Sequence, residues 1–84
     1  MSKELKLRIL TPEGTAFSGS ADAVFVPGSA GRFEILPDHA PIISSLEKGE
    51  IRWRLGGKEQ VFPVCAGAMM LTNNEITVCA ESAE

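Results

Sequence analysis

The sequence has no tyrosine, one tryptophan, one histidine and two cysteines, and its eight basic side chains are outnumbered by eleven acidic ones. Each scarcity removes a class of function. A nucleic-acid surface needs clustered Lys and Arg against phosphate. Here the basic residues are scattered, their largest local group is Arg52 and Arg54, and the net charge is −3. The same distribution argues against direct seating on anionic lipid. No apolar run is long enough to span a bilayer and no apolar leader precedes the first strand-like segment, so a cytoplasmic chain without direct membrane insertion is expected. His39, Cys65 and Cys79 lack the close ligand spacing of a zinc site. Both cysteines sit inside apolar, strand-like runs, which reads as two small buried hydrophobes, reduced in the cytoplasm.

What is present is a period of two. With 84 residues, 44% hydrophobic and 23% charged, the chain fits one folded domain over residues 1–84. A chain of this size buries roughly 60–65% of its unfolded surface, so its stability is modest. Leu5, Leu7 and Ile9 alternate with Lys6 and Arg8 as a half-buried strand. Short strands follow, with Phe17 inward, then Ala23 to Val26, then Phe33 to Leu36, separated by Pro and Gly turns. Asp38-His39-Ala40 lies between Pro37 and Pro41, a stiff stretch that excludes helix. The strongest local signal is Ile51, Trp53 and Leu55 alternating with Arg52 and Arg54 before Gly56-Gly57. That pair predicts a two-residue hairpin with Leu55 opposite Lys58, Trp53 opposite Gln60 and Ile51 opposite Phe62. Asn73-Asn74 predicts a second hairpin, with Thr72 opposite Glu75, Cys79 opposite Ala68, and Ile76, Val78 and Ala80 inward. In that register Cys65 falls on the other face from Cys79, which excludes an intrachain disulfide unless a bulge near Gly67 intervenes. No segment combines a cap, a 3.6-residue period and sufficient length for a helix. Many short strands with Gly and Pro turns indicate an all-β sandwich or barrel.

Catalytic chemistry finds no support. His39 has Ser29, Ser44 and Ser45 nearby in sequence, but no nucleophile elbow surrounds any of them. Ser29-Ala30-Gly31 carries no Lys and opens no helix, so it is not a phosphate loop. Trp53 and Phe62, which a nucleic-acid barrel would use for stacking, fall in the core by register. An interaction module remains, for which no cofactor is expected. Arg32 lies on an open loop tip, and the Pro37–Pro41 turn presents Asp38 and His39 to solvent. Of the consecutive pair Ile42 and Ile43, at least one points away from a one-sided core, so a second sheet or a partner must cover it.

The run Val26-Pro27-Gly28-Ser29-Ala30-Gly31-Arg32-Phe33-Glu34-Ile35-Leu36-Pro37-Asp38-His39-Ala40-Pro41 resembles the signature of the epsilon subunits of F-type ATP synthases. Leu10-Thr11-Pro12-Glu13-Gly14, Phe17-Ser18-Gly19, Lys48-Gly49 and Ala66-Gly67 extend the resemblance in order along essentially the whole chain. Asp38 departs from a frequent Gly and suits a turn residue with positive φ. Ala66 replaces a usual Gly, which puts a close backbone approach there in doubt. The resemblance implies a flattened antiparallel β-sandwich of about ten short strands. It also implies a non-catalytic rotor subunit that couples the gamma shaft to the membrane c-ring on the cytoplasmic face of the bacterial inner membrane. The sequence ends where many family members continue into a helical hairpin, as in the short, Bacteroides-like form, so the inhibitory and nucleotide-sensing roles of those helices are not expected. By the same resemblance Ser29, Gly31, Arg32 and His39 face the polar loops of the c-ring, with His39 near the same foot of the domain, and Ile42, Ile43 and Ser44 face gamma. The alternative is an unrelated β-sandwich adaptor with no affinity for gamma.

Overall fold

Alternation of apolar and charged residues makes β1 (Leu5–Thr11) a strand with one face in the core: Leu5, Leu7 and Ile9 are fully buried while Lys6 and Arg8 are exposed. The computed structural model describes residues 4–83. The further strands are β2 (Gly14–Ala21), β3 (Ala23–Gly28), β4 (Gly31–Ile35), β5 (Ile42–Leu46), β6 (Gly49–Leu55), β7 (Lys58–Thr72) and β8 (Glu75–Ser82), with no helix among the described residues. Eight strands thus stand where the resemblance implies about ten. One contribution is β7, which runs through 15 residues and serves both layers of the sandwich as a single strand.

One layer is β2-β1-β8-β7-β5, using the second half of β7; the other is β4-β3-β6-β7, using the first half. All pairings are antiparallel except β1 with β8. The single bridge Gly28–Leu46 between β3 and β5 joins the layers at a second corner. Between them lie Leu7, Ile9, Leu71, Ile76 and Val78 from the first layer against Val24, Val26, Ile35, Ile51 and Val64 from the second, all at most 1% exposed. Trp53, 3% exposed, packs on Phe17 with ring centroids 4.5 Å apart. Its indole N–H has no hydrogen-bond partner among the described residues. An unmet donor of that kind costs about 1–3 kcal/mol, which the large buried area of the ring offsets.

Both predicted hairpins form in the expected register: Leu55 pairs Lys58, Trp53 pairs Gln60, Ile51 pairs Phe62, Thr72 pairs Glu75 and Ala68 pairs Cys79. Gly56 and Gly57 have φ of 59° and 81°, and Asn73 and Asn74 have 49° and 63°. Two consecutive positive φ values match the right-handed twist of the flanking strands.

The cysteines are corrected. Both are exposed and free. Ile76, Val78 and Ala80 take the inward positions of β8, so Cys79 between them faces out. Cys65 is the extra residue of a bulge between Val64 and Ala66, where the β7–β8 register shifts. Its thiol lies 3.8 Å from Glu81 Oε1 and 3.8 Å from the Ser82 carbonyl. Alternation outranks the apolar character of the surrounding run: a bulge or an outward position exposes a small apolar residue at little cost. The bulge falls at Cys65 rather than at Gly67.

Candidate interaction surface

The two outer faces of the sandwich differ in chemistry. On the layer containing β3, β4 and β6, cross-strand register brings Glu34, Phe25, Arg52 and Val61 into one row. Charges there are paired. Arg52 Nη2 lies 3.0 Å from Glu50 and Nη1 3.9 Å from Glu59, while Arg54 lies 3.7 Å from Glu34 and over the Phe25 ring at 5.3 Å. Exposed pairs of this kind contribute little to stability, but they make a well-solvated face.

On the other layer, register aligns Ile43, Met70, Thr77 and Arg8 across four strands, from β5 through β7 and β8 to β1. Ile43 is 82% exposed and Met70 48%. With Pro41 and Thr72 they border a shallow groove of about 480 Å³. A second apolar groove, about 480 Å³, is bordered by Leu10, Pro12, Ala66 and Cys79. This face therefore carries contiguous apolar surface without a covering layer among the described residues, the usual mark of a docking site.

The residues expected to meet gamma divide by parity. Ile43 points out, whereas Ile42 is half-buried and packs on the core. Ser44 is half-buried, its hydroxyl donating to the Ser45 carbonyl at 2.9 Å. A second sheet thus covers Ile42 and leaves Ile43 bare. Met70 escaped notice in the sequence, although the run Ala68-Met69-Met70-Leu71 breaks alternation: Met69 and Leu71 fill the core and Met70 stands outside beside Ile43.

The residues expected at the c-ring separate. Ser29 and Ala30 form the tight turn between β3 and β4, and Gly31 and Arg32 begin β4. The turn is braced on β5, with Ser45 Oγ donating to Ser29 Oγ at 2.9 Å and Ser29 N–H donating to the Ser45 carbonyl at 3.0 Å. Arg32 is exposed and opposite Pro27. His39 does not share this foot of the domain. It follows the far end of β4, a five-residue strand, or about 16 Å at roughly 3.3 Å per residue. The strand between Arg32 and His39 is extended, so nearness in sequence does not become nearness in space.

His39 closes a turn instead. Its N–H donates to the Leu36 carbonyl at 3.2 Å, and Asp38 has φ of 69°. Pro37 followed by a positive-φ residue is a type II turn, usually built with Gly. Asp38 holds that geometry with help from the β7–β8 hairpin: Asp38 N–H donates to Asn74 Oδ1 at 2.6 Å, and Asn74 Nδ2 donates to Asp38 Oδ1 at 3.3 Å. Asn74→Ala removes both bonds and a residue suited to φ > 0, and is expected to cost about 1–2 kcal/mol. Urea unfolding measures the loss, and amide exchange at Asp38 should quicken with it. Unchanged exchange at Asp38 would show that the two turns are not coupled.

The protein is thus a two-layer sandwich with ion pairs on one outer face and the exposed pair Ile43 and Met70 on the other. Comparison with known proteins gives its kind. The family model for the beta-sandwich domain of the ATP synthase delta/epsilon chain matches residues 4–84, so the chain belongs to that family. The ATP synthase epsilon chains of Desulforamulus reducens and of Nitratidesulfovibrio vulgaris strain Miyazaki F are each 42% identical over 84 residues, covering all of this chain and 64% and 63% of theirs. That of Desulfitobacterium hafniense strain Y51 is 38% identical over the same span and is covered to 64%. The chain therefore spans somewhat under two thirds of the length of these relatives. Among solved structures, it superposes on a chain of the Euglena gracilis mitochondrial ATP synthase with a TM-score of 0.87, covering 95% of this chain and 52% of that one at 13% identity. A chain of the Tetrahymena thermophila mitochondrial ATP synthase central stalk and c-ring gives 0.78, covering 96% and 66% at 10% identity. At such identities the likeness is one of fold.

Proposed function

We propose that this chain is a non-catalytic rotor subunit of an F-type ATP synthase, seated between the gamma shaft and the c-ring. The observation that carries the reading is the bare apolar pair Ile43 and Met70 on the outer face of β5 and β7. A permanent partner covers such surface with a broad, mostly apolar interface. We take that partner to be gamma, as the resemblance to epsilon subunits implies, and the family relationship is the reason for preferring this reading to an unrelated adaptor. A close-packed sandwich whose layers share β7 suits the role, because force applied at one edge passes through packed side chains and ladder hydrogen bonds without a soft hinge. No helix among the described residues is long and apolar enough to cross a membrane. In this reading the subunit is peripheral, held through the complex on the cytoplasmic side.

The deciding measurement is co-purification and calorimetry with the gamma subunit of the same enzyme. Tight one-to-one binding is expected. A folded chain that does not bind gamma ends the assignment. The tip formed by Ser29, Gly31 and Arg32 is the part proposed to rest on the c-ring, where Arg32 meets carbonyl or acidic groups of the ring loops. His39, at the other end of β4, is no longer grouped with it. Arg32→Glu is expected to reduce retention of the gamma-bound subunit on purified c-rings about 5–10-fold, the effect of a reversed rim charge, with gamma affinity unchanged. Equal losses at both partners would remove the tip from the ring.

A further inference from the structure

Arg8 stands at the end of the row Ile43–Met70–Thr77–Arg8 on the apolar outer face. Three strand spacings separate it from Ile43, about 14 Å at roughly 4.8 Å each. Its next outward neighbour on β1 is Leu10, which borders the second apolar groove. Arg8 lines a recess of about 360 Å³ on β1, β2 and β8. Ser18 and Thr77 are its register partners on either side. Among the described residues no ion pair or hydrogen bond engages the Arg8 side chain, whereas Arg52 and Arg54 on the opposite outer face are both paired.

We infer that Arg8 is an anchor for the partner docked on this face and receives a carboxylate from it. The inference rests on the proposed gamma docking. An interface of ordinary size buries about 800 Å² on each side, which from Ile43 and Met70 reaches across the sheet to Arg8. A guanidinium covered by apolar surface without a counter-charge is strongly unfavourable, and this chain supplies none, so the partner must. Arg takes a carboxylate through two parallel N–H···O bonds, and the Ser18 and Thr77 hydroxyls flank that position as further donors. The surroundings favour a single carboxylate over a phosphate dianion. Lys6 in the same recess stands opposite Glu75, and the neighbouring Ser20 hydroxyl already donates to Glu4 at 3.0 Å, so two carboxylates offset the second cation.

The test is the gamma affinity of three variants with melting temperatures checked beside it. Arg8 is exposed, so its replacement leaves the fold intact. Arg8→Glu is expected to weaken gamma binding about 30-fold or more, as for an interface Arg set against a like charge. Arg8→Lys keeps the charge and loses the fork, for about a 5-fold loss. The salt dependence of the parent complex should flatten in Arg8→Glu. Unchanged affinity in Arg8→Glu, with Ile43→Asp still weakening binding, overturns this inference and leaves gamma docking in place. Unchanged affinity in both overturns the docking itself. Arg8-dependent co-sedimentation with phosphatidylglycerol vesicles, without an effect on gamma, would assign the recess to lipid and overturn the inference as well.

Discussion

Ile43→Asp is expected to weaken binding to gamma about 30-fold or more while leaving the melting temperature within about 2 °C of the parent. The two effects separate because of where the side chain sits. Ile43 is 82% exposed in the free chain, so little native packing is lost there. In the proposed complex with gamma the same side chain is buried. Removing a buried Ile forfeits about 1.5–3 kcal/mol, and a carboxylate pressed into apolar surface adds a desolvation penalty. A loss of about 2 kcal/mol already corresponds to roughly 30-fold in Kd. Ile42→Asp must be kept out of the experiment, because Ile42 packs on the core and its charge would unfold the domain. Met70→Asp, at the neighbouring position of β7, provides the independent check. If Ile43→Asp and Met70→Asp both bind gamma as the parent does, the partner docks elsewhere.

How much of this was legible in the sequence depends on the range over which each feature is determined. The two hairpins were readable residue by residue, because Gly56-Gly57 and Asn73-Asn74 fix turn type and turn type fixes register. The all-β sandwich followed from the same local signals. The strand count was not readable, because continuing β7 through a bulge at Cys65 depends on two layers competing for one strand. Cys79 shows a nearer failure: the apolar run around it predicts burial, while the parity of β8 places it outside. The docking face was half visible. The doublet Ile42-Ile43 announced one outward apolar residue, yet which of the two it was, and that Met70 stands beside it, required the pairing of β5 with β7. The family resemblance implies one foot of the domain for Ser29, Arg32 and His39, and the extended β4 separates them.

Gly67→Ala is expected to destabilise the domain by about 2–3 kcal/mol, the cost of forcing extra volume into a packed site. Its partners leave no room. A Cβ at this position would lie 2.6 Å from the Cys79 carbonyl oxygen and 2.8 Å from both Ala80 Cα and Cβ. Two of those atoms are backbone of β8, so no rotamer change relieves the contact. Nor can β7 shift aside, since Gly67 pairs with Ala80 on one side and with Leu46 on the other. The neighbouring Ala66 is exposed, so Ala66→Gly should cost no more than about 0.5–1 kcal/mol, an entropic loss. Of the two small residues only Gly67 answers to close backbone approach, and the alanine at position 66 does not disturb it. A domain of this length has roughly 4–13 kcal/mol of stability in all, so the Gly67 variant should melt about 10–20 °C lower. Its urea midpoint should fall with an unchanged slope, as for a loss of native-state stability alone. Ala80→Gly added to Gly67→Ala should restore only part of the loss, because the Cys79 oxygen remains in place. A Gly67→Ala domain that melts with the parent would mean that β8 yields freely at this point.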